Sequence, residues 1–110
     1  MNNPYVVNIG KQFSRFPAGR YAKKGPASGE EFREKVLVPL LDEGAQEIIV
    51  ELDDAIGYGS SFLEEAFGGL IRRGRRIDDL LRIFSFVSED LSLIDEIREY
   101  MREAGNHAQC

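Results

Sequence analysis

The sequence predicts one α/β domain with a mixed, mostly parallel sheet of about four strands and three main helices. Three observations carry that prediction. Short β-type runs alternate with segments of helical periodicity, an order that right-handed crossovers turn into a largely parallel sheet. Ile48-Ile49-Val50 is an unbroken apolar triplet, as buried central strands carry. The 110 residues, 43% hydrophobic and 30% charged, have the size and balance of a single globular unit. The domain is expected over 1–105, with 106–110 as a C-terminal tail.

Taken in order, Tyr5-Val6-Val7-Asn8-Ile9 is a β-type run ended by Gly10. Pro17-Ala18-Gly19 reads as a turn. A second strand is expected near Phe13–Phe16 or Arg20–Ala22. Ser28-Gly29-Glu30-Glu31 is a capping box, and its acids suit the positive end of a helix dipole. Phe32, Val36 and Leu40 then repeat at four-residue spacing, which predicts the buried stripe. Pro39 lacks the N–H that would reach Lys35, so a kink or an early end is expected there, and Gly44 is the stop.

Glu47–Leu52 is the strongest strand, expected at the centre of the sheet. A helix is expected from about Ser61 to Arg73, burying Phe62, Phe67 and Leu70. Ser61-Phe62-Leu63-Glu64 is a second capping box. Gly68 and Gly69 inside that helix predict a close approach of its backbone to the sheet, and Gly74 closes it. Leu80–Val87 reads as the next strand region. Ser88 or Ser92 caps a last helix with Ile94, Ile97, Met101 and Ala104 buried and Gly105 at its end.

Composition excludes several classes of function. His107 and Cys110, both near the end, are the only His and Cys, too few for a Cys/His zinc site. A Ser-His-Asp or Cys-His centre would depend on that one His. No metal, cofactor or catalytic set is expected. No apolar run is long enough to span a bilayer, and no signal-peptide core opens the chain, so a cytoplasmic protein is expected. The net charge of −5 is uneven: residues 1–29 carry five bases and no acid. A basic knot at Arg72, Arg73, Arg75 and Arg76 could meet phosphates, but an acidic whole argues against a dedicated nucleic-acid binder.

Gly57-Tyr58-Gly59-Ser60-Ser61 lies between a predicted buried strand and a helix start. Free N–H groups there could hold a phosphate. The Walker pattern needs a Lys before the Ser, and the dinucleotide pattern needs a third Gly where Phe62 stands. Arg20, Arg72 and Arg73 are candidate anion-binding residues. Glu64 and Glu65 are adjacent, so about 100° of helical rotation should keep them from converging on one point.

The stretch from Ile48-Ile49-Val50-Glu51-Leu52-Asp53 to Gly59-Ser60-Ser61-Phe62-Leu63 resembles the centre of a STAS domain. That family includes bacterial anti-sigma factor antagonists, whose motif is Asp-Ser-Ser-Gly opening a helix. A bacterial STAS-like family of unknown function is a closer likeness. It is carried by Phe16-Pro17-Ala18-Gly19-Arg20-Tyr21, by Gly25 to Arg33, and by Gly57 to Leu70. The resemblance implies a non-enzymatic regulatory module that docks on a protein partner, a GHKL-type ATPase or kinase-like protein. Carried over, the phosphorylated Ser of the antagonists is Ser61, although Gly59 replaces the motif Asp and Phe62 the motif Gly. The expected docking surface is Tyr58, Gly59, Ser60, Ser61, Glu64 and Glu65, with Tyr58 as an exposed aromatic anchor. The alternatives are a small-ligand or nucleotide-phosphate sensor or enzyme using Gly57–Ser61 with Arg20, and a nucleic-acid-processing accessory using residues 72–76.

Overall fold

Three parallel strands form the sheet: β1 (Tyr5–Asn8), β2 (Ile48–Glu51) and β3 (Phe84–Val87), in the order β1-β2-β3. The structure is a computed structural model that describes residues 3–108, with side chains as far as 106. Cys110 lies outside the described residues. The central position expected for residues 47–52 is borne out, and Ile48 and Val50 are fully buried.

No strand forms in 13–22, and the sheet is parallel throughout its three strands. That segment instead satisfies the start of the next helix. Gly29 N–H donates to Gly19 carbonyl at 2.9 Å and Glu30 N–H to Arg20 carbonyl at 3.0 Å. Gly19 takes φ +85°, which turns the chain towards those donors. A short helix α1 (Ile9–Gln12) follows β1, with Asn8 as its cap.

Helix α2 runs over 29–42 in three pieces: Gly29–Phe32, a wide π turn at Arg33–Leu37, and Val38–Asp42. Ser28 accepts from Glu31 N–H at 3.1 Å, as its capping box predicts. The π turn inserts one residue, so the buried stripe is Phe32, Leu37 and Leu41 rather than Phe32, Val36 and Leu40. Pro39 neither ends nor breaks the helix. Val38 N–H reaches back to Arg33 carbonyl, and the proline opens the last piece, where a first turn needs no N–H. Gly44 ends the run at φ +87°.

Helix α3 runs over 60–72, again with a π turn, at Glu64–Gly68. Phe62, Phe67 and Leu70 are fully buried, and the Phe67 ring meets Phe84 and Phe86 of β3 edge-on at 5.7 and 5.4 Å. Residues 77–83 form helix α4 (Ile77–Ile83), so β3 begins only at Phe84. Ile77, Leu80 and Ile83 at three-residue spacing are a helical stripe, and Asp78-Asp79 favour its first turn. Helix α5 (Leu91–Ala108) buries Ile94, Ile97, Met101 and Ala104 as expected. Its start is held by Asp90, whose carboxylate accepts from Ser92 N–H at 3.1 Å and Leu93 N–H at 3.3 Å, rather than by Ser88 or Ser92. Gly105 does not end it: the helix continues through residues 106–108, where a tail is expected. Gly105 is buried close to Ile77, so helical packing outweighs its propensity to stop.

Candidate functional site

Parallel α/β sheets bind at the carboxyl ends of their strands, and the Gly57–Ser61 loop leaves that end of β2. Three fastenings fix the loop. Asp53 accepts from Ser88 Oγ at 2.6 Å and Glu89 N–H at 2.8 Å, tying it to the segment after β3. Asp54 accepts from Asn8 Nδ2 at 2.6 Å, tying it to β1. Ile56 N–H donates to Arg15 carbonyl at 2.8 Å.

Tyr58 is a fourth fastening and not an exposed anchor. Its hydroxyl donates to Leu52 carbonyl at 2.6 Å, and its ring lies 6.1 Å from the Phe62 ring. Burial, with the charges of Asp53 and Asp54, pushes its pKa well above the usual phenol value. Gly57 and Gly59 face open space, since a Cβ at either would meet nothing within 4 Å. Ser60 and Ser61 are exposed. Gly59, not Ser61, is the N-cap of α3, and no side chain caps that end. The second capping box is therefore not used, because the helix begins at Ser60, ahead of the Ser that would cap it. The freely presented residues are Ile56, which is 66% exposed, Gly57, Gly59 and Ser61, while the exposed Ser60 hydrogen-bonds the Tyr100 hydroxyl of α5.

Glu64 and Glu65 do converge, on arginines. Arg20 Nη1 donates to Glu64 and, at 3.1 Å, to Glu65. Arg72 donates to Glu64 at 2.5 and 3.0 Å and to Glu65 at 3.1 Å. Arg33, which sequence reasoning missed, donates from Nη1 to the Glu65 carboxylate at 2.6 Å and to the Glu65 carbonyl at 2.8 Å. The Arg33 and Glu65 side chains are 4% and 9% exposed, a buried pair spanning α2 and α3. Gly69 leaves room for the Arg33 guanidinium, which a Cβ there would strike. Gly68 faces the Glu64 carboxylate and the Tyr100 carbonyl of α5. The two glycines thus admit a salt-bridge cluster and a neighbouring helix rather than the sheet. A buried Arg 32 residues before its Glu partner, on another helix, carries no periodic signal; the Gly-Gly after the Glu pair was the available clue.

Arg20 and Arg72 are consequently engaged by carboxylates, and Arg73 lies 3.8 Å from Glu34. Arg75 pairs with Asp42, which leaves the basic knot largely neutralised within the chain. An open hollow of about 350 Å³ beside Arg75, Arg76 and Ile77 shares no lining residue with the loop. Among the described residues no group of three His, Cys, Asp or Glu is placed to hold a metal ion, and no helix is long and apolar enough to cross a membrane.

The cluster has a pH signature. Burial pushes the Glu64 carboxyl up, but hydrogen bonds and charge from Arg72 and Arg20 outweigh it and hold the group below the usual carboxylate range. A depressed folded pKa adds stability above the unfolded value, near 4.3 for Glu, that is lost as pH falls through the folded value. Urea midpoints followed from neutral pH to about pH 3 should fall more steeply in the wild type than in Glu64→Gln. Parallel profiles would refute the linkage.

A family model described as a STAS-like domain of unknown function (DUF4325) matches residues 28–92, from the cap of α2 to the start of α5. No curated protein and no solved structure matches the chain.

Proposed function

The chain belongs to this STAS-like domain family, and from that premise we propose that it is a non-enzymatic, cytoplasmic regulatory module that docks on a GHKL-type ATPase or kinase-like protein. The observation that carries the reading is the Ile56–Ser61 segment, exposed except at Tyr58 and held by four fastenings at Asp53, Asp54, Ile56 and Tyr58 at the carboxyl end of the central strand. A pre-ordered surface loses little entropy on docking, which favours association. Ile56 supplies apolar contact, Gly59 open backbone and Ser61 an exposed hydroxyl. Tyr58 supports this surface from beneath, while Glu64 and Glu65 serve the fold.

Ser61 is the candidate phosphorylation site. A phosphate there adds roughly −1.5 to −2 charges in the first turn of α3. The helix N-terminus favours that charge, and Glu64 repels it. Phosphorylation on this reading releases the partner by changing the surface and leaves the fold intact.

The test uses a purified GHKL ATPase from the same genome and the full chain as wild type, Ile56→Asp and Ser61→Asp. Both variants should lose capture by the ATPase at unchanged circular dichroism. Equal capture by all three removes the loop from the interface. Incubation with the ATPase and ATP, followed by intact-mass analysis, decides the phosphate: no added mass at Ser61 refutes that part.

A further inference from the structure

Alternation along the strands divides the sheet into two faces of very different character. Val7, Ile48, Val50 and Phe84 point into the core beneath the helices. The opposite face carries the row Val6–Ile49–Ser85 and, next to it, the row Asn8–Glu51–Val87. Val6 is 49% exposed and Val87 50% exposed. Ile49 is half-buried between its neighbouring strands and, like Val6, is no part of the core cluster.

An all-parallel sheet with one face covered only at its Asn8 corner is unusual. Such sheets occur almost only with both faces covered, since their strands are apolar on both sides. Here Ile48-Ile49-Val50 has that character, and the layer that would cover Ile49 is missing among the described residues. The outer edge of β1 offers little to a further strand. Pro4 precedes it and has no N–H, and Asn8 N–H already donates to Gln12 Oε1 at 2.7 Å. With the β1 edge blunted, the sheet face beside it remains uncovered.

Charge narrows the occupant. On β2 and the residue before it, this face reads Glu47, Ile49, Glu51. Glu47 accepts from Ser85 Oγ at 3.2 Å and Glu51 from Asn8 Nδ2 at 3.3 Å, and neither carboxylate meets a Lys or Arg among the described residues. Asp54 adds a third acid beside Asn8, answered at 3.8 Å by Lys11. A second copy of the chain would set acid against acid across the contact. A helix is the usual cover of a parallel sheet. Glu47 and Glu51 are separated by about 13 Å of extended chain, which is about two turns of helix.

We propose that the open sheet face formed by Val6, Ile49 and Val87, with Glu47 and Glu51 beside Ile49, docks a basic amphipathic helix of a partner protein. The helix lies along β2 with its apolar stripe over Ile49, flanked by Val6 and Val87 on the neighbouring strands, and places two Lys or Arg side chains, two turns apart, against Glu47 and Glu51. This surface is separate from the Ile56–Ser61 loop, so either assignment can fail without the other.

The experiment titrates the isotopically labelled full chain with a designed helical peptide of about 14 Leu and Lys residues, the Lys set two turns apart beside a Leu stripe, and follows backbone amides by NMR. A control peptide replaces each Lys by Glu. Shifts should concentrate at residues 6, 47–51 and 85–87. Ile49→Lys and Glu47→Lys, each checked by circular dichroism, should weaken binding at least about tenfold. Val6→Lys, at the more exposed site, serves where Ile49→Lys fails to fold. The Glu peptide should not bind. Shifts confined to the helical layer, unchanged affinity in the folded variants, equal binding of the Glu peptide, or no binding would each overturn the proposal. So would a wild-type dimer in sedimentation that Val6→Lys dissociates, because a second copy would then be the occupant.

Discussion

Phe67→Ala is expected to cost about 3–5 kcal/mol, the range for a large aromatic deleted from a closed core. Phe67 is fully buried and its ring joins three elements. It meets Phe32 of α2 at 6.2 Å and Phe84 and Phe86 of β3 at 5.7 and 5.4 Å, each edge-on. Truncation removes the apolar area of one ring and the edge contacts of three others. It also leaves a cavity that the neighbours cannot collapse into, because the Phe32–Phe62 contact at 5.8 Å and the sheet hold them in place. Equilibrium unfolding in guanidinium chloride measures the loss. A change below about 1 kcal/mol would mean that Phe67 does not join the sheet to the helical layer.

The sheet centre, the Ser28 cap and the α5 stripe were legible because each rests on local chemistry. An apolar triplet, a Ser three residues before a Glu, and an uninterrupted i, i+3, i+7 pattern all act within a few residues of themselves. Errors arose where distant groups decided. The π turns at Arg33–Leu37 and Glu64–Gly68 add a residue to each helix, and ordinary 3.6-residue periodicity then misplaces the stripe by one from Val36 onward. Leu80-Leu81 suits strand or helix equally on apolarity, and burial of Leu80 on the inner face of α4 settled it. The expected strand in 13–22 was lost to the carbonyls of Gly19 and Arg20, which serve the start of α2. At the site, position along the chain was readable but commitment of side chains was not. Tyr58 looks free between two glycines until its hydroxyl reaches Leu52, and Glu64 and Glu65 look like surface acids until Arg20, Arg33 and Arg72 arrive from three parts of the chain.

Arg33→Ala should be comparably damaging, at about 3–5 kcal/mol, because it breaks a buried ion pair from one side. Burial pulls the Arg33 pKa down, and its hydrogen bonds with Glu34 and Glu65 push it back above the ordinary arginine value. Removing the guanidinium leaves the Glu65 carbonyl and one carboxylate oxygen without this donor, in a site that Gly69 has hollowed to the shape of an arginine. The Glu65 carboxylate keeps Arg20 and Arg72, both through its other oxygen, so the charge stays partly answered. Replacing both partners separates the cost of burial from the cost of orphaning. Arg33→Met combined with Glu65→Leu fills the volume with apolar atoms and leaves Arg20 and Arg72 on Glu64. The double variant should therefore recover much of the stability that Arg33→Ala loses, as buried pairs replaced by apolar groups commonly do. A double-mutant cycle in guanidinium chloride should return a coupling of about 0.5–3 kcal/mol between the two positions. Additive single effects, with a double variant no better than the worse single one, would mean that Arg33 contributes by packing against Gly69 and that its charge does not matter.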